Sequence, residues 1–159
     1  MFVLFALAAS VWLALLVTAP MLPPFAAAAL YAVGSQICHQ QPARSFHLDS
    51  AQLPVCARCL GLYAGGALGA IAAAHSTWRS RIGLPTPRLI LVYGALPTAA
   101  TIVAEWSGAW GGSNAVRAAS AVPLGVAVAL VVAQAAATLH YERCAPRRPS
   151  ASNRPPTPT

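Results

Sequence analysis

At 159 residues the chain is one domain's worth of protein, yet 57% of it is hydrophobic and only 8% charged, with a mean hydropathy of +0.61. A soluble domain carries about 25% charged residues, so this composition excludes a water-facing globule and points to the bilayer. The net charge of +7 comes from ten arginines spread over loops and a C-terminal stretch; with no recognisable reading motif it excludes nucleic acid and fits anionic lipid as the partner.

The first apolar run, residues 3–19, has no charge. It lacks a basic n-region and an A-x-A site before its prolines, so it reads as a retained first helix rather than a cleaved signal peptide. Pro20, Pro23 and Pro24 then separate it from residues 25–37, because proline removes a donor and clashes with the preceding turn. That short apolar piece reads as an interfacial or re-entrant helix delivering the chain to Cys38. A second span begins near Cys56 and runs to residue 74, a third covers 89–104, and a fourth, the longest, covers 118–139. A span needs about 20 apolar residues, so the second and third must borrow from their flanks, with Arg58 snorkelling to the headgroups. The expected fold class is therefore all-α and polytopic, with about four transmembrane helices plus the short helix. The membrane domain would occupy 1–144, and 145–159, with five prolines and three arginines, reads as a disordered tail.

Arginine placement predicts orientation in the inner (cell) membrane. Arg79, Arg81 and Arg88 lie in one loop and Arg143, Arg147, Arg148 and Arg154 near the C-terminal end, against Arg44, Arg58 and Arg117 on the other side. Positive loops stay in the cytoplasm, which puts the C-terminal stretch inside and the Cys/His loop, residues 38–59, outside. In the second span, Gly61, Gly65 and Gly69 recur every four residues, with Gly66, Ala70 and Ala74 in a parallel row. Small faces let helices approach closely in lipid, so this row is a candidate contact for another helix, a second copy or a membrane partner. Gly65→Leu is expected to cost more folded protein than Gly112→Leu in the third loop.

The chemistry gathers in Cys38-His39 and Cys56-Ala57-Arg58-Cys59. Three thiols with His39, or with His47 as the alternative ligand, make a Cys3His set suited to zinc or another transition metal. Seventeen residues lie between Cys38 and Cys56, within the 15–20 typical of zinc-ribbon knuckles. Metal binding is the leading reading; the alternatives are a membrane thiol–disulfide oxidoreductase using the Cys56/Cys59 pair, with a quinone as its acceptor, and a structural or partner-binding subunit whose disulfide staples the loop. A helix beginning near Cys56, with Arg58 beside it, would favour a thiolate under either chemistry. Arg44 and Arg117 read as lipid-phosphate anchors, with Asp49 or Glu105 as the alternative partners. Leu60 after Cys59 disfavours a covalent c-type haem. His75 and His140, at helix ends, receive no role.

The run Ile37-Cys38-His39-Gln40-Gln41-Pro42-Ala43-Arg44-Ser45-Phe46, followed by Leu53-Pro54-Val55-Cys56-Ala57-Arg58-Cys59-Leu60-Gly61-Leu62-Tyr63-Ala64-Gly65, resembles a family of small prokaryotic membrane proteins known as domain of unknown function 2085. Its signature reads CHQ-x-P-x-RSF and then PVCARC-x-G-x-Y-x-G. A weaker echo follows in Pro97, in Ser113-Asn114-Ala115-Val116-Arg117 and at Gly125. Members often carry a threonine after the second C-x-x-C cysteine and polar residues in the third span. Leu60 and the apolar stretch around Thr101 depart from that pattern. The resemblance implies a polytopic α-helical protein with a shared Cys/His site, and no particular activity.

Overall fold

The computed structural model describes residues 2–75 and 86–144. Over these residues the chain is helical apart from one β-hairpin: α1 (Phe2–Thr18), α2 (Pro24–Ile37), β1 (Ser45–Leu48), β2 (Ala51–Cys56), α3 (Ala57–Ala74), α4 (Pro87–Trp106) and α5 (Asn114–Cys144). Four stretches are long and apolar enough to cross a bilayer: Phe2–Met21, Ala57–Ala74, Pro87–Trp106 and Asn114–Leu139. These are the four expected spans, the third lengthened at both ends and the fourth begun earlier, at Asn114. Large side chains such as Leu4, Val11, Val92 and Val103 stay exposed on them, as lipid-facing surfaces require. Arg79, Arg81 and the tail 145–159, and the side chains of His140, Arg143 and Cys144, lie outside what is described.

α1 closes in a short 3₁₀ turn, Ala19–Met21, that carries Pro20. α2 then opens on Pro24, a first-turn position where the missing N–H costs nothing. Its 14 residues reach about 21 Å at 1.5 Å per residue. That falls short of a hydrocarbon core of about 30 Å, so α2 does not cross as a helix.

α3 is the centre of the bundle, packed against both α1 and α5, and α4 packs against α5. The glycine row is what brings α3 and α5 together. A methyl on Gly61 would overlap the Ala118 carbonyl and one on Gly65 the Val122 carbonyl, while on Gly69 it would lie 2.8 Å from Ala129 Cβ. Gly125 returns the contact from α5, against the Leu62 carbonyl, whereas Gly66 has nothing within 4 Å. The small-residue face is thus filled by the chain's own fourth span. It is not free for a second copy or a membrane partner, contrary to that part of the sequence expectation. Gly112 also proves a poor comparison for Gly65: its φ is +72°, and a side chain there would crowd the Arg117 guanidinium.

α4 and α5 carry interior prolines, Pro97 and Pro123. Between them runs a polar seam. Thr98 Oγ1 donates to the Ser120 carbonyl (2.8 Å), the Thr101 and Ser120 hydroxyls pair at 3.2 Å, and Ser120 donates to the Arg117 carbonyl (3.0 Å). The stretch around Thr101 that looks apolar along the chain therefore presents its few hydroxyls to α5. In lipid such bonds hold helices together, because no water competes for the groups. The spans alternate in direction, so the start of α3, the end of α4 and the start of α5 meet at one end of the bundle, where the cysteines are.

Candidate thiol and metal site

Two short elements deliver the cysteines. β1 and β2 pair antiparallel, with Leu48 opposite Ala51 across the two-residue turn Asp49-Ser50. Both turn residues have positive φ, +48° and +70°, the geometry of a type I′ hairpin turn whose twist matches the strands. The register is irregular: from Ser45↔Cys56 to His47↔Gln52, β1 advances two residues and β2 four. Pro54 falls in that bulged stretch, where the missing N–H breaks no ladder. The hairpin therefore stands where the sequence analysis expects only the Cys/His loop, residues 38–59. The usable signal was Phe46 and Leu48 mirrored by Leu53 and Val55 about a short turn.

Gln40, itself at φ +47°, ties the hairpin to α2. Its side-chain amide donates to the Tyr31 carbonyl (2.9 Å) and the Pro54 carbonyl (2.8 Å). Gln52 returns a bond to the Gln40 carbonyl at 2.6 Å and reaches Ser45 Oγ at 3.2 Å. The Tyr31 hydroxyl donates to the Gln52 carbonyl, and Asn114 of α5 donates to the Ser45 carbonyl at 2.9 Å. These hydrogen bonds hold the loop, through amide side chains to which the sequence alone assigns no role.

Within that frame Cys38 ends α2, Cys56 precedes the first residue of α3, and Cys59 sits in the first turn of α3. The Cys38 sulfur is buried and accepts the N–H groups of Cys56 (3.2 Å) and Gln40 (3.5 Å). The Cys56 and Cys59 sulfurs are 3.4 Å apart, and all three thiols are free. The hydrogen bond with the Cys59 thiol pulls the Cys56 thiol down to about 5, against the opposing effect of burial, with help from the first-turn amides and Cys38. All three sulfurs lie within 4.8 Å of one another, a group that could hold a metal ion. A tetrahedral zinc with Zn–S of about 2.3 Å needs sulfurs about 3.8 Å apart, so closing on an ion asks for shifts of an ångström or less.

Neither histidine belongs to that group. His39 is exposed but lines the same cavity, of about 350 Å³, as the three sulfurs. His47 is exposed on β1, away from the residues lining that cavity. Arg44, also exposed, borders the cavity together with Arg58 and Arg117.

The arginines at the helix ends correct the sequence reading. Arg58 does not reach for headgroups, and Arg117 takes Glu105, its alternative partner in the sequence reading, rather than lipid phosphate. Arg58 Nη2 and Nη1 lie 2.8 and 3.3 Å from the two Glu105 carboxylate oxygens, and Arg117 Nε lies 2.9 Å from Oε1. Arg117 Nη1 also donates to Asn114 Oδ1 at 2.9 Å. The reason is energetic: the Glu105 side chain is only 8% exposed, and an unpaired carboxylate at a helix end in lipid is costly. One carboxylate thus locks the ends of α3, α4 and α5 directly beside the cysteines.

The model of a protein family described as "Predicted membrane protein", domain of unknown function 2085, matches residues 38–131. An uncharacterized protein of Methanocaldococcus jannaschii is 51% identical over 47 residues, and that match takes in 30% of this chain and 30% of the archaeal protein's length. No solved structure matches the chain.

Proposed function

The chain belongs to the domain of unknown function 2085 family of predicted membrane proteins, and we propose that it uses Cys38, Cys56 and Cys59 to hold a transition-metal ion, zinc by preference, in a structural or sensing role. The observation that carries this is the convergence of three sulfurs, from three different elements, to within 4.8 Å. His39 is the fourth ligand under this reading, because it borders the same cavity, and His47 is the lesser candidate. Soft thiolates with an imidazole are zinc's preferred donors. Arg58 beside the sulfurs offsets the negative charge that three thiolates build up.

One observation favours a second reading. The Cys56 sulfur lies 3.4 Å from that of Cys59, whose thiol lowers the Cys56 pKa, and such a pair is also what a thiol–disulfide oxidoreductase needs at its attacking end. In that case Cys56 and Cys59 form the working pair and a membrane quinone is the acceptor. The two readings separate on the purified protein. With metal as the function, elemental analysis should find about one equivalent, lost in Cys38→Ser and in Cys59→Ser and retained in Cys144→Ser. A metal-free wild type with an oxidised Cys56–Cys59 bond and a free Cys38 would overturn the metal reading and leave the redox one.

The site faces outward from the inner membrane in this proposal, with the C-terminal stretch in the cytoplasm. The support is the arginine count together with the meeting of Arg58, Glu105 and Arg117 at one end of the bundle, which leaves Arg88, at the start of α4, at the other. Reporter fusions after Ala51 and after Arg148 should report external and cytoplasmic locations respectively. A cytoplasmic signal after Ala51 would reverse the orientation.

A further inference from the structure

We propose that the cavity beside the three sulfurs is an anion site, taking a phosphate- or carboxylate-sized group. The proposal adds a ligand to the site assigned above but rests on the cavity's own geometry, not on a bound metal. Three arginines from three different elements border one space of about 350 Å³: Arg44 from the turn before β1, Arg58 from α3 and Arg117 from α5. Glu105 is the carboxylate within bonding distance of them, and it answers both Arg58 and Arg117. That trio therefore retains one positive charge. Among the described residues Arg44 has no carboxylate partner, so it adds a second positive charge at the cavity border.

The hydrogen-bond inventory points the same way. Arg58 Nε is buried and has no hydrogen-bond partner, although a buried guanidinium N–H left unmade is expensive. Guanidinium forks suit planar or tetrahedral oxyanions, and the cavity also receives His39. A membrane-edge cleft with low-dielectric walls concentrates the field of such charges. A free anion and a lipid headgroup share this chemistry, and experiment can tell them apart.

The test compares alkylation of Cys56 and Cys59 by iodoacetate, an anion, and by iodoacetamide, its neutral analogue, in reduced, metal-free protein read by mass spectrometry. The iodoacetate/iodoacetamide rate ratio should exceed that of a free small thiol by about tenfold at low salt. Arg44→Gln should remove most of that excess and Arg44→Lys should keep it; Arg44 is exposed, so neither variant threatens folding. Slowing of iodoacetate by inorganic phosphate in detergent would identify a free anion. Slowing only in phosphatidylglycerol vesicles, and not in phosphatidylcholine, would identify a headgroup. A wild-type ratio equal to that of the free thiol, an Arg44→Gln ratio equal to wild type, or no protection in either medium would overturn the proposal. Because the assay is run without metal, its failure would leave the elemental analysis unaffected, and the reverse holds as well.

Discussion

Glu105→Gln should be the most damaging single substitution near the site, costing about 3–5 kcal/mol of stability. The carboxylate is the shared partner of Arg58 and Arg117, whose side chains are 18% and 9% exposed. Removing its charge leaves two guanidiniums facing each other in a poorly hydrated junction, which is the situation in which breaking an ion pair costs more than the pair ever contributed. Asp49→Asn is the fitting control, since Asp49 is exposed in a turn at φ +48°, a conformation asparagine adopts readily. Thermal unfolding in detergent should show Asp49→Asn close to wild type and Glu105→Gln melting well below both. Replacing Arg58 by leucine in the Glu105→Gln background should recover part of the loss, because one orphaned charge goes with it. Equal melting of Glu105→Gln and Asp49→Asn would mean that water screens the trio.

Gly65→Leu should lose most of its folded yield while Gly66→Leu stays near wild type, although the two residues are neighbours. A first side-chain carbon on Gly65 already collides with the Val122 carbonyl of α5, and on Gly66 it meets nothing within 4 Å. The obstacle is backbone, which cannot rotate away as a side chain would, so α5 must move. Overpacking of this kind typically costs about 1–3 kcal/mol, occasionally more. Gly125→Leu should resemble Gly65→Leu, because it collides with the Leu62 carbonyl from the other helix. Monodisperse yield after detergent extraction is the readout. Matching yields for Gly65→Leu and Gly66→Leu would place the α3–α5 contact elsewhere.

The spans were legible because a long uncharged run has few ways to exist outside lipid, and the breaks at Pro20, Pro23 and Pro24 are local chemistry. The convergence of Cys38, Cys56 and Cys59 was legible from residue type and spacing. What lay beyond the sequence is what depends on long-range arrival. The glycine row announced a close approach, but that its partner is α5 rather than another molecule follows from the order in which four helices pack. Glu105 meets Arg58 across 47 residues, a distance no local pattern spans, whereas its pairing with Arg117, 12 residues on, was one of the partners the sequence offered. A lone acid at the end of an apolar span still was a usable signal, since intramembrane charges rarely go unpaired. The hairpin escaped because its strands are only four and six residues long, Pro54 argues against a strand, and the turn Asp49-Ser50 carries no glycine to mark it.

The α3–α5 interlock also sets a timetable for biogenesis. Helices enter the bilayer in chain order and associate afterwards, so α3 is in place two spans before the helix that covers its glycine face. Until α5 arrives, Gly61, Gly65 and Gly69 face lipid, Arg58 lacks the Glu105 that α4 brings, and Ser45 lacks the Asn114 that fixes the hairpin. The cysteines are therefore synthesised early and brought into their final arrangement late. A nascent chain spends that interval with three thiols near one another but unframed, exposed to whatever oxidant or ion the compartment offers. Maturation of the site becomes a race between helix docking and unguided thiol chemistry, decided by how fast the last span is inserted.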